Sequence, residues 1–463
     1  MKTIVFGVGN YYQEQKGNLN SFGEIEVIAF SDNNEAVWNQ KMDGIIVIPP
    51  DSIVNFEYDR ILVMSIYVCE IYDQLLLLGV TEEKIIIWDC FYKKMLHRNL
   101  KMPETIKEGG RNRKVLIISQ ALGYDGGAFA AIYAASALRG SGAAVTLMVP
   151  GADKRLIEET AKKDLAIVIQ PSLPYILEVD REWICRFDDV VVNLLTMVES
   201  ACEISKICPV HWWIHEASVC YKTIMAQYPS CKHINDALAD HIYAVSSIAM
   251  RNFNHFFGAG RCKRILSIGI PDMAGTEEKE RTCRSSKIVA VIGSVNHLKA
   301  QDIFLEAVSL LDYIDETEFW VIGKGHDQYY SEKIEKMAAD IKSVKMLGEL
   351  TREGIHEAFQ EIDVLVCASR EETLSLTVIE AMMYGKVCIT TDTTGIAEYI
   401  ENGLNGFVIP SNDVAALKEK LEWVLKNIGS LGNVKMNARK TYEKYFSMHI
   451  FGRNLESVLN DPG

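Results

Sequence analysis

One pattern constrains this chain more than any other. Short β-branched apolar runs alternate with amphipathic stretches from one end to the other. Runs such as Thr3–Gly7, Ile61–Ser65, Val115–Ser119, Val190–Leu194, Ile288–Gly293 and Val364–Cys367 are apolar at successive positions. Stretches with a 3.6-residue period lie between them, including Ala128–Arg139, Ile303–Leu311 and Thr377–Tyr384. A strand apolar on both sides must be covered on both faces, and intervening helices supply that cover. The pattern therefore specifies parallel sheets in an α/β chain.

At 463 residues the chain exceeds what one ordinary core holds. Two polar breaks divide it. His97–Lys114 carries Pro103, Gly109, Gly110 and several cations; Met273–Lys287 is charged and lacks apolar periodicity. The expected units are 1–96, 113–272 and 287–463, with linkers at 97–112 and 273–286. A net charge of −14 excludes nucleic acid as the main partner, because phosphate binding needs a basic footprint. The 11 cysteines include no Cys-x-x-Cys pair, so they read as thiols rather than as a disulfide or zinc framework. No run reaches the roughly 18 apolar residues of a membrane span, and the N-terminus lacks a signal-peptide core. A cytoplasmic protein is expected. The basic, partly apolar segment Tyr92–Lys101 offers either a solvated linker or peripheral contact with an anionic inner membrane face.

The most informative stretch runs from Ser369 to Met383, just past the strand Val364–Cys367. Ligands of open parallel sheets lie at strand carboxyl ends, where helix N-termini suit a diphosphate. Glu372 and Glu380, with seven residues between them, could reach a sugar hydroxyl and a ribose diol. Two other readings stand beside this one. Thr377-x-x-Glu380 is also a capping box, and Glu371-Glu372 could be a solvated acidic pair.

The stretch resembles the E-x7-E signature of the retaining glycosyltransferase family 4, and the similarity continues in register. Gly385–Asp392, Gly395–Glu398 and Gly403–Ile409 resemble that family's next three marks. Upstream, Gly293–Asp302 is similar to its donor-phosphate segment, with Lys299 at the phosphate-binding lysine. Ser294 stands where arginine is common, and Arg370 or Arg264 are candidates for the lost charge. Val321–Gly325, including Gly323, and Leu347–Leu350 resemble its strand-end and base-reading segments. In the middle unit, Gly126-Gly127 resembles the glycine loop that folds over the donor, and His215 with Glu216 ends a strand facing it. Tyr243–Ser247 and Ile268–Asp272 resemble marks that close the first half, and Ala438–Leu459 resembles a helix that crosses back.

The resemblance implies a GT-B fold, two Rossmann-like domains facing a cleft, preceded here by a third Rossmann-like domain. It implies sugar transfer from a nucleoside diphosphate sugar, a UDP-sugar being the expected donor, to a glycan, lipid-linked or protein-linked hydroxyl acceptor. Polysaccharide or glycoconjugate assembly is the implied setting. Glu372, Lys299 and His215 become the expected catalytic group; Glu380, Gly126, Gly127, Ser375, Leu376, Thr377, Gly323 and Ser294 the donor-binding group. No cofactor is expected. No Asp-x-Asp triplet occurs, so no metal is expected either.

At the N-terminus, Gly7-Val8-Gly9 follows a strand and Asp32 ends the next, which is half of a dinucleotide fingerprint. The segment resembles the Rossmann-like domain attached to some bacterial sugar-nucleotide epimerases. Gly7, Gly9 and Asp32 are thus a candidate nucleotide site, with a structural or partner-docking role as the competing reading. Two alternatives to sugar transfer follow: an NAD-dependent sugar-nucleotide-modifying enzyme, or a catalytically silent GT-B module.

Overall fold

The computed structural model describes residues 1–20, 22–23, 25–95, 113–228, 231, 234, 236–275, 286–312, 316–325 and 327–461. The expected linker at 97–112 and residues 276–285 of the second linker lie outside the described residues, as does most of the basic stretch after Met95.

The apolar runs become central strands because nothing but a doubly covered sheet can bury them. Val115, Leu116, Ile117 and Ile118 are fully buried, as are Val364 and Leu365. The first sheet contains β1 (Lys2–Phe6), β2 (Glu26–Ser31), β3 (Lys41–Met42), β4 (Ile45–Ile48), β5 (Arg60–Val63) and β6 (Ile85–Ile87). Their order is β3-β4-β2-β1-β5-β6, parallel except for the β3–β4 hairpin. The second holds β7 (Lys114–Ile118), β8 (Ala144–Val149), β9 (Ala166–Ile169), β10 (Asp189–Asn193), β11 (Val210–Ile214), β12 (Ile242–Ala244) and β13 (Arg264–Ile265). The third holds β14 (Lys287–Ile292), β15 (Thr317–Ile322), β16 (Val344–Gly348), β17 (Val364–Cys367), β18 (Val387–Thr391) and β19 (Phe407–Ile409).

The second sheet runs β13-β12-β11-β10-β7-β8-β9 and the third β16-β15-β14-β17-β18-β19, both parallel throughout. In each, the order reverses direction beside the first strand, at β7/β10 and at β14/β17. Such a reversal leaves a crevice at the carboxyl ends, since the flanking connections diverge to opposite faces. The two crevices face each other.

The C-terminal segment joins the halves. The helix Gly432–Tyr445 stays on the third sheet, with Tyr442 donating a hydrogen bond to the Ile270 carbonyl at 3.0 Å. The helix Met448–Leu459 then packs on the helix Gly126–Gly140 of the other half. Phe451 sits 5.6 Å from the Trp213 ring, centroid to centroid. A Cβ at Gly269 would lie 2.4 Å from that of Phe451, so only glycine permits this approach.

Several strands were absent from the apolar pattern. β3, β12, β13 and β19 are two or three residues long, and β16 has no buried residue, with Lys345 and Met346 exposed. The apolar run Ile85–Trp88, which predicts a strand through Trp88, forms a strand only over Ile85–Ile87, and Trp88 opens the helix Trp88–Met95.

Candidate active site

At the β14/β17 crevice, two loops approach so closely that a side chain is excluded. Gly323 has φ +143°, and a Cβ there would fall 1.9 Å from the Gly293 carbonyl oxygen. The following loop is fixed by Asn296, whose side chain accepts from the Lys299 backbone N–H at 3.0 Å. That turn delivers the Lys299 ammonium to Glu372, with which it forms an ion pair. Burial acts to lower the Lys299 pKa, but Glu372, with a contribution from Cys367, offsets it and the net direction is upward. Ser294 contributes a carbonyl to Gln301 at 3.0 Å and no charge.

Glu380 lies on the helix Leu376–Met383, which begins directly at the crevice. Its N-cap Ser375 makes no capping hydrogen bond; Ser375 and Thr377 instead bond each other through their hydroxyls at 3.0 Å. Thr377 lies inside the helix rather than at its N-cap, so the Thr377–Glu380 capping box does not form, and the first N–H groups of the helix are left open to an anion. Glu380 accepts no hydrogen bond from a described residue. Burial pushes its carboxyl up to about 7, with the nearby Arg352 charge working in the opposite direction.

The facing wall comes from the second sheet. Gly126 and Gly127 open the helix Gly126–Gly140, capped by Asp125. A Cβ on Gly126 would stand 3.7 Å from Leu376, so the two helix starts meet across the cleft. Gly127 is pinned by Asn193, which donates to its carbonyl at 3.0 Å, and a Cβ there would come within 2.9 Å of Leu194. Leu194 has φ +79° and ψ +153°, a region natural only to glycine. Three bonds hold it: its N–H donates to Trp213, its carbonyl accepts from the Trp212 indole, and Glu216 accepts from Leu195 N–H at 2.6 Å. Glu216 thus shapes the wall rather than facing a ligand, and burial pushes its carboxyl to about 7 despite those bonds. Burial likewise pushes His215 down to about 3, so its imidazole is neutral at ordinary pH. Its Nε2 is buried and without a hydrogen-bond partner among the described residues.

One acid with a specific task was not identified in the sequence. Glu371, read there as half of a solvated pair, reaches across the cleft. It accepts from Ser218 N–H at 2.6 Å, Ser218 Oγ at 2.5 Å and Asn252 Nδ2 at 2.7 Å. Ser218 begins the helix Ser218–Gln227, whose N-cap position is Ala217 and which has no cap of its own. Glu371 caps that helix from the opposite domain, where a negative charge is favoured by the helix dipole. Beside it, Thr373 donates to the His215 carbonyl at 2.6 Å. Nothing local signals this, because Ser218 lies 153 residues away.

Two compensating cations proposed from sequence are otherwise engaged. Arg370 binds both oxygens of Asp302 at 3.1 Å each and donates to the His297 carbonyl. Arg264 pairs with Asp461 near the chain end. In the first sheet, Asp32 accepts from Val8 N–H and Asn34 N–H, each at 2.8 Å. Gly7 has φ +104° and packs where a Cβ would meet the Met64 carbonyl at 2.5 Å. Gly9 is the N-cap residue of the helix Asn10–Leu19. No group of metal-ligating side chains occurs among the described residues, and no described helix is long and apolar enough to cross a membrane.

Comparison with known proteins agrees with this architecture. Residues 276–441 match the family model described as glycosyl transferases group 1, and residues 1–86 match that of a C2185-like N-terminal domain. The capsular polysaccharide biosynthesis glycosyltransferase CapM of Staphylococcus aureus is 30% identical over 102 residues, 22% of this chain and 27% of that protein. The putative glycosyltransferase EpsD of Bacillus subtilis is 28% identical over 194 residues, 39% of this chain and 50% of that one. The chain thus spans between about a quarter and a half of the length of these relatives. Anabaena Alr3699/HepE, solved in complex with UDP and glucose, superposes with a TM-score of 0.62 at 15% identity, covering 75% of this chain and 99% of that one. The fold is GT-B, with a further N-terminal Rossmann-like sheet, and the match to the glycosyl transferases group 1 model falls on residues 276–441.

Proposed function

We propose that the chain is a retaining glycosyltransferase of family 4 type, moving a sugar from a UDP-sugar to a hydroxyl acceptor in polysaccharide or glycoconjugate assembly. One observation carries this reading: Lys299, Glu372, Glu380 and an uncapped helix start converge at one crevice, opposite the Gly126-Gly127 loop. Lys299 and the open N–H groups at Leu376 hold the diphosphate, where charge grows as the donor bond breaks. Glu380 accepts from the ribose diol and Glu372 from the sugar. The bond from the anomeric carbon to the phosphate oxygen breaks while the acceptor oxygen bonds on the same face. The acceptor proton passes to the leaving phosphate, so no protein nucleophile is needed. His215, neutral and with an unused Nε2, is suited to a hydrogen bond with the donor sugar rather than to acid catalysis. Glu371 and Thr373 keep the cleft closed, which excludes water.

The rival NAD-dependent reading has less support, because both Asp32 oxygens already accept backbone N–H groups. A melting screen with UDP-, GDP- and dTDP-sugars and NAD, on wild type and Glu380→Ala, separates the two. A nucleotide sugar at 100 times its Kd raises stability by about 2.7 kcal/mol. Stabilisation of wild type by a nucleotide sugar, lost in Glu380→Ala, is the expected result; a response to NAD alone sinks the proposal.

A further inference from the structure

We propose that Arg352, clasped by Phe129 and Tyr133 from the opposite domain, is a binding residue for the nucleoside end of the donor. The inference rests on the nucleotide-sugar reading of the cleft and deepens it. Arg352 starts the helix Arg352–Glu361, immediately after the segment Gly348–Thr351 that leaves strand β16. Its guanidinium crosses the cleft, lies 4.7 Å from the centroid of the Phe129 ring and donates to the Tyr133 hydroxyl. Both aromatics stand on the helix Gly126–Gly140, whose glycine start faces Leu376. The clasp therefore shares with the crevice the helix Gly126–Gly140, and brings a second helix of the facing domain onto it.

Two features separate Arg352 from an ordinary surface cation. It has no described carboxylate within ion-pair distance, although Glu380 is near enough to feel its charge. Lys299 and Glu372 touch directly; Arg352 and Glu380 are near one another without pairing, as groups flanking a ligand are. The other arginine of this domain beside the crevice, Arg370, is spent on Asp302. A guanidinium held over an aromatic ring keeps donors free at its edge and loses little freedom on binding. Glu380 and Arg352 together present an acceptor and donors to one ribose and its base. Because one partner is on each domain, the clasp also closes the cleft over the nucleoside.

The test is calorimetric titration with whichever of UDP, GDP and dTDP wild type binds most tightly, and with the matching monophosphate. Variants are Arg352→Ala, Arg352→Lys, Tyr133→Phe and Glu380→Ala. Arg352→Ala should weaken the diphosphate and the monophosphate alike, each by about tenfold or more. Arg352→Lys should recover only a small part, and Tyr133→Phe should lose about threefold, which keeps the test usable if Arg352→Ala folds poorly. A loss confined to the diphosphate overturns the assignment to the nucleoside end. Unchanged binding in Arg352→Ala, with binding abolished in Glu380→Ala, overturns the inference alone. Unchanged binding in both overturns the reading of the cleft with it.

Discussion

Apart from its antiparallel edge strand β3, the first sheet repeats the strand order of the third, reversing at β1/β5 as the third does at β14/β17, and the two crevices differ in what they do with polar groups. Each has a glycine turn after its first strand and an acid nearby. In the first sheet, Asp32 is consumed by the backbone of Val8 and Asn34, and Tyr12 and Lys16 are both joined to Asp43. In the third, Glu380 accepts nothing from the described residues, the Leu376 helix start has no side-chain cap, and Arg352 has no carboxylate partner there. A strand-order reversal supplies a place, and unsatisfied groups aimed into it make that place a site. The N-terminal crevice is thus self-closed, and the β14/β17 crevice is left with groups poised for a ligand.

The largest effect should come from Lys299→Ala. Removing the cation that meets the departing diphosphate should lower kcat about 100- to 1000-fold in a donor-hydrolysis or transfer assay; a fall under tenfold would remove Lys299 from the chemistry. Glu371→Ala comes next. It strips three hydrogen bonds and an in-trans helix cap from the closed cleft, so kcat/KM should drop about tenfold, and small-angle scattering should show a more open particle. Unchanged scattering and rate would reduce Glu371 to a surface acid.

A pH titration sharpens the same contrast. Glu380, with its pKa pushed to about 7 by burial, accepts ribose hydroxyl donors best when ionised. Donor affinity should therefore fall as pH drops through about 7, by up to about tenfold per unit below it, and Glu380→Gln should flatten the profile. The smallest effect belongs to the first sheet. Asp32→Asn should lower stability by about 1 kcal/mol through one lost backbone acceptor, seen as an earlier melting transition, with UDP-sugar affinity unchanged. A loss of nucleotide binding there would overturn the contrast between the two crevices.

The sequence carried the parts of this picture that are local. Continuous apolar runs specified parallel sheets, and the spacing of Glu372 and Glu380 lies within one turn and one helix, so both could be read directly. Lys299 was singled out by the resemblance of Gly293–Asp302 to a donor-phosphate segment, and the turn that carries it is equally local, fixed by Asn296 three residues away. What was not legible depends on distant pairing. Glu371 acquires its role from Ser218 and Asn252, and Arg352 from Tyr133 lies 219 residues away. Arg370 looked free in sequence only because Asp302, 68 residues upstream, gave no sign of facing it. The strained Leu194 was hidden too, since an aliphatic residue in a glycine conformation leaves no mark on composition. Edge strands such as β13 and β19 are too short to show a period.

The most direct test of the central claim is titration of a UDP-sugar into wild type and Glu380→Ala, followed by calorimetry at pH 8. Saturable binding by wild type, weakened about 100-fold or more in the variant, is the predicted result. Equal affinity in the two proteins, or no binding by either, would contradict a donor site at the β14/β17 crevice.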